Sequence, residues 1–105
     1  MATPVKSKRA IMRLLHTHRA RIAALGARRI GLFGSFVRGE ARRHSDVDIL
    51  VEFEPRQKTL DNFLALASFL EEILRRRVEL VTPESLSPFL RPRILQEVEY
   101  VSLAA

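Results

Sequence analysis

Two aspartates, Asp46 and Asp48, stand one residue apart where the apolar run of "SDVDILVEF" begins. In a strand, residues two apart point to the same side, so these carboxylates aim at a common point. Left alone they repel, and one of them tends to hold its proton. A divalent cation removes the conflict, and hard oxygen ligands with several retained waters suit Mg²⁺. A bare D-x-D also fits a turn aspartate beside an edge aspartate that merely faces water, so the pair needs company to carry chemistry.

That company lies upstream in "GLFGSFVRGE". Gly34-Ser35 falls between an expected strand and an expected short helix. Such a turn directs backbone N–H groups and a helix dipole to one place, which suits phosphate. Glycine lets a phosphate approach closely, and the Ser35 hydroxyl adds a donor. A phosphate cradle on one strand end and a metal-binding pair on the next form the apparatus of phosphoryl or nucleotidyl transfer.

The surrounding pattern supplies the elements that must hold these groups. A helix is predicted from Ser7 to Leu25, because Ile11, Leu14, Leu15, His18, Ile22 and Leu25 recur at spacings of three and four. Gly26 is its stop signal. "RRIGLF" reads as a strand ending at Gly34. "SFVRGEA" reads as a helical turn or two capped by Ser35 and ended by Gly39. "ARRHS" is a polar turn, and "VDILVEF" a strand rich in β-branched residues. Thr59 caps a predicted helix from Leu60 to about Arg76, apolar over most of its surface. That breadth fits a docking face and equally a helix sandwiched inside the fold. "VELVT" is a third strand, and a last helix begins near Pro92 with Ile94, Leu95, Val98 and Val101 on one face. The order α-β-(α)-β-α-β-α predicts an α+β fold of two layers, a small mixed sheet covered by helices, in one domain spanning residues 1–105.

Composition narrows the partners. The net charge of +6 favours anionic partners, whether nucleotide, nucleic acid or acidic protein. The chain has no cysteine, which excludes disulfides and thiolate metal sites. The start, "MATPVKSKRA", has no apolar core of a secretory signal, and "FLALASFL" is far too short to span a bilayer. The expectation is a soluble, cytoplasmic protein with no membrane association.

The stretch "GSFVRGEARRHSDVDILVEF" resembles the signature of the polymerase-beta-like nucleotidyltransferases: G-S, a spacer with R-G, then S-D-x-D and apolar residues. The resemblance is closest to the minimal nucleotidyltransferases and extends through "VELVTPESLSPFLRPRILQEVEYV". It implies that Gly34 and Ser35 hold the phosphates of ATP and that Asp46 and Asp48 bind two Mg²⁺ ions. A third carboxylate, usually aspartate, comes from a later strand in that family. The matching position here is Glu79 of "VELV", a departure by one methylene. Glu79 as a third metal ligand and Glu79 as a solvent-facing strand residue both stand at this point. Arg38, in the "RG" of the signature, either touches phosphate or forms a structural ion pair near the aspartates, the latter being preferred. Arg42, Arg43 and His44 are expected in a solvated loop.

The resemblance also implies a biological role. Minimal nucleotidyltransferases act as antitoxins of helical HEPN toxins, transferring AMP from ATP to a toxin tyrosine within a hetero-oligomer. That is the leading expectation. The alternative is a catalytically weak or inactive nucleotide-binding antitoxin that blocks its partner by contact, and Glu79 keeps it open. A nucleic-acid binder built on Lys6, Lys8, Arg9, Arg13, Arg19 and Arg21 is not favoured, because no aromatic residues interleave with those charges. His16 and His18 are two apart on a helix and cannot chelate together. Tyr100 is expected to pack against the sheet.

Overall fold

The computed structural model describes residues 3–104. Its elements run α1 (Lys8–Thr17), α2 (Arg19–Ala24), β1 (Ala27–Phe33), α3 (Ser35–Arg38), β2 (Val47–Phe53), α4 (Leu60–Leu74), β3 (Val78–Val81), α5 (Arg91–Glu97) and β4 (Glu99–Val101), with short 3-10 turns at Pro55–Gln57 and Pro83–Ser85. The sheet has four strands in the order β3-β2-β1-β4. β1 runs antiparallel to both β2 and β4, while β2 and β3 are parallel, with α4 as their crossover. The sheet is therefore mixed, as expected, with a fourth strand that the predicted order did not include.

Strand periodicity divides β2 between two environments. Val47, Ile49, Val51 and Phe53 point one way and join the main core with Ile30 and Leu32 of β1. Ile11 and Leu15 of α1, Ile22 of α2, and Leu66, Leu70 and Leu74 of α4 close over them. Burial of these side chains stabilises each helix on the sheet by about 1.5–3 kcal/mol per residue. Asp48, Leu50 and Glu52 occupy the alternate positions and face the other way.

Three local expectations need correction. The predicted helix over residues 7–25 is two helices, broken at His18. The Arg19 side chain donates to the His16 carbonyl at 2.9 Å, taking an acceptor that an unbroken helix would use. Ser7 caps the first segment as a side-chain acceptor for the Ala10 N–H. The last helix stops at Glu97, so Val98 and Val101 do not share its face, and Val101 lies in β4. The spacing of Val98 and Val101 suits a helix, but Gly31 of β1 leaves room for a strand instead. A Cβ there would lie 2.6 Å from a Val98 methyl and 3.0 Å from the Glu99 carbonyl oxygen. Finally, α4 ends at Leu74, because Arg75 turns left-handed at φ 56°.

The inner face of α4 is sealed by Leu66, Leu70 and Leu74, while on its outward side Leu60 and Leu64 remain 70% and 54% exposed and Phe69 and Ile73 are partly buried. His18 sits at the edge of that packing with its ring edge-on to Phe69, 5.5 Å between centroids. Tyr100 lies on β4 with the Arg29 guanidinium 3.6 Å above its ring. Among the described residues no helix is long and apolar enough to cross a membrane.

Candidate active site

The face of the sheet turned away from the main core carries the residues singled out by the sequence. Asp48 is the second residue of β2, opposite Phe33 of β1 and in register with Glu79 of parallel β3. In-register residues of neighbouring strands share a face, so Glu79 stands beside Asp48. Asp46 precedes the strand by one residue, two positions before Asp48, and its charge acts on Asp48.

The turn bearing Asp46 is held by Arg76. Its guanidinium donates to the carbonyls of Val5 (2.6 Å), Arg43 (2.8 Å) and Ser45 (3.3 Å) and lies 5.2 Å from the Phe36 ring centroid. The Val47 N–H donates to the Arg77 carbonyl at 2.9 Å, which registers the start of β2 on β3. Arg42, Arg43 and His44 project outward from this turn and are exposed.

Gly34 directly follows β1 and caps α3 with φ 81° and ψ −153°. That conformation belongs to glycine, which corrects the assignment of Ser35 as cap: Ser35 is the first helical residue. Space imposes the same choice, since a Cβ at Gly34 would collide with the Asp48 carboxylate. The glycine turn and the acidic strand thus meet in direct contact. Gly39 ends α3 in the left-handed region at φ 73°.

The electrostatics mark Asp48. Its carboxyl is pushed up to about 6, first by burial, then by the charge of Glu79 and a hydrogen bond with it, and by the charge of Asp46. Arg38 opposes that shift only weakly. Among the described residues no three acidic or histidine side chains already converge at ligating distances. The donor chemistry nevertheless fits a hard cation: Asp46, Asp48 and Glu79 are three carboxylates on one open face whose repulsion is felt at Asp48. A cation there would relieve it.

Arg38 takes the structural role preferred for it, with partners the sequence did not reveal. Its guanidinium donates to Glu40 at 2.9 Å and Glu97 at 2.8 Å. The other Glu97 oxygen accepts the Gly34 N–H at 2.8 Å. Glu97 is half-buried at the end of α5 and ties α5, α3 and the glycine turn together. Burial works against its charge, but Arg38, the Gly34 N–H and Arg93 hold its carboxyl below the usual range. Sequence reading missed Glu97 because its partners lie 59 and 63 residues away. A cavity of about 490 Å³ opens here, lined by Gly34, Asp48, Arg38 and Glu97 with Leu90 and Arg93 at its side.

Comparison with known proteins identifies the family. Residues 17–101 match the family model for the nucleotidyltransferase domain. The chain belongs to this nucleotidyltransferase family. It is 50% identical over 76 residues to the protein adenylyltransferase MntA of Thermococcus cleftensis, covering 72% of this chain and 76% of the relative. Among solved structures, it is similar to a provisionally assigned minimal nucleotidyltransferase at 39% identity and a TM-score of 0.69, covering 84% of this chain and 93% of the other. A toxin–antitoxin complex crystallised with AMP-PNP matches at 30% identity and a TM-score of 0.59, covering 83% of this chain and 73% of that one. The sheet with its helices is thus the fold of this nucleotidyltransferase group, and both halves of the G-S and D-x-D signature fall within the matched residues.

Proposed function

We propose that this nucleotidyltransferase is an antitoxin that transfers AMP from ATP to a tyrosine of a helical HEPN-type toxin, in the cytoplasm and within a hetero-oligomer. The adenylyltransferase relative and the toxin–antitoxin complex with an ATP analogue support this reading. The observation that carries it is the contact between the Asp48 carboxylate and Gly34, with Glu79 in register beside Asp48. A nucleotide's phosphates and its acceptor therefore meet at one point, as transfer requires. The chain forms one minimal transferase domain, and its acceptor hydroxyl comes from the partner.

In this reading Gly34 and Ser35 receive the phosphates, and Arg38 borders them while anchored to α5. Asp46 and Asp48 would hold two Mg²⁺ ions, with Glu79 completing the ligands on the acceptor side. The bound ions would offset the phosphate charge and polarise the attacking hydroxyl. The tyrosine oxygen attacks the α-phosphorus in line. The new O–P bond forms as the bond to the bridging oxygen breaks, pyrophosphate departs and the phenolic proton passes to water. The chain's own work is alignment: β2 and β3 fix the carboxylates, and the glycine turn brings phosphate within reach of them. Phe89, 92% exposed, and Leu90 at the rim of the cavity offer the toxin an apolar edge.

The test is to incubate the protein with its toxin, Mg²⁺ and ATP labelled at the α-phosphate. Label appears on the toxin with wild type and is lost with Asp46→Asn or Asp48→Asn. Label that persists with both variants would overturn the assignment.

A further inference from the structure

The arginines around the cavity are not equivalent. Arg38 is spent on two carboxylates, Glu40 and Glu97, at 2.9 and 2.8 Å. Arg91 is spent on the carbonyls of Pro83 and Leu86, at 3.0 and 3.1 Å. Arg93 is exposed and makes no ion pair or side-chain hydrogen bond among the described residues. Its position in α5 decides where it points. Leu90, Arg93, Ile94 and Glu97 follow at helical spacing on one side of α5, and all four line the cavity that holds Gly34 and Asp48.

The charge balance of that cavity leaves a role for it. Its lining carries three carboxylates, Glu40, Asp48 and Glu97, against two guanidinium groups, Arg38 and Arg93. Arg38 is already shared between two of the acids. A triphosphate entering beside these carboxylates needs positive charge beyond whatever cation Asp46 and Asp48 hold, and among the described residues Arg93 is the one lining cation with its donors uncommitted. A guanidinium matches phosphate with two parallel N–H donors, which suits it to a terminal phosphate group.

We infer that Arg93 is a nucleotide-binding residue that takes the β- and γ-phosphates and thereby makes the site prefer nucleoside triphosphates over monophosphates. The inference rests on the proposed reading of Gly34, Asp46 and Asp48 as the nucleotide site. During transfer the same side chain stays on the departing pyrophosphate, whose charge rises as the bond to the α-phosphate breaks.

Calorimetric titration of wild type, Arg93→Ala, Arg93→Lys and Asp48→Asn with ATP and AMP, each with Mg²⁺, tests this. Arg93→Ala is expected to weaken ATP binding about 10–100-fold, the range of a charge-assisted hydrogen bond, with AMP binding unchanged. Arg93→Lys recovers part of the loss, and both variants shift the melting temperature only slightly, because Arg93 makes no hydrogen bond or ion pair among the described residues and acts on Glu97 only through its charge. If Asp48→Asn weakens ATP binding but Arg93→Ala leaves the ATP-to-AMP ratio at its wild-type value, Arg93 is a solvated surface residue and the inference alone fails. If wild type does not bind ATP, or binds it equally well without Asp48, the site reading fails and the inference with it.

Discussion

The two sides of β2 obey opposite rules. On one, Val47, Ile49, Val51 and Phe53 are buried among helices and contribute nothing but packing. On the other, Asp48 and Glu52 are half-buried and Leu50 alone is sealed. The first side is as stable as its apolar contacts make it. The second gathers like charges next to a strained-looking turn that only glycine can adopt, and so costs stability in the isolated chain. The difference shows where the strand's stability is made and where it is given up: the core face holds the strand straight enough for the open face to carry unfavourable groups in fixed positions.

The contrast can be broken most severely from the core side. Ile49→Ala removes a fully buried side chain and leaves a cavity, which is expected to cost about 2–5 kcal/mol in chemical denaturation, a large share of the stability of a domain this size. A cost under about 1 kcal/mol would show that this face is not the strand's anchor.

Gly34→Ala comes next. The added methyl meets the Asp48 carboxylate at a positive φ, so strain of about 1–2 kcal/mol is expected together with a transfer rate reduced about 100-fold by misplacement. The two losses separate the open face from the core, since Ile49→Ala molecules that remain folded keep their rate.

The pH dependence of stability sharpens the comparison further. Asp48's folded value, about 6, lies above its ordinary 3.8, so the folded state binds its proton more tightly than the unfolded chain does. The favourable contribution is fully present below pH 3.8 and is lost as pH rises through 6. The full shift corresponds to about 3 kcal/mol, and solvent screening of a half-buried group reduces the loss to about 1 kcal/mol. Denaturation of metal-free wild type and Asp48→Asn across this range should show that fall only in the wild type. A parallel fall in both would assign it elsewhere. The smallest effect is expected at Lys8, whose 3.0 Å pair with Glu99 joins α1 to β4 at the surface. Lys8→Ala should cost at most about 1 kcal/mol, less in high salt.

What was legible in the sequence follows from the same division. The apolar end of β1, the β-branched run of β2, the cap at Thr59 and the stop at Gly26 act through neighbours in the chain, and each is found where its residue type predicts. The neighbourhood of Asp46, Asp48 and Gly34 was legible because a short motif carries both halves of it. β4 was not, since Glu99, Tyr100 and Val101 make too short a run to announce a strand, and their pairing depends on the missing side chain of Gly31. Nor were Glu97 and Arg93, whose importance comes from where α5 lands rather than from what surrounds them in sequence. The break at His18 escaped for a related reason: an unbroken apolar stripe continues across it, and only the side chain of Arg19 marks the place.

The central claim is that the carboxylates of the open face are kept for a cation and its nucleotide at the expense of the apo fold. One Asp48→Asn sample measured two ways tests it: melting temperature at pH 8 in chelator, and labelled AMP transfer with Mg²⁺ and toxin. The account predicts a higher melting temperature than wild type together with transfer reduced about 1,000-fold, on the scale of removing a group that stabilises the transition state. A variant that melts lower than wild type, or still transfers AMP at the wild-type rate, would contradict it.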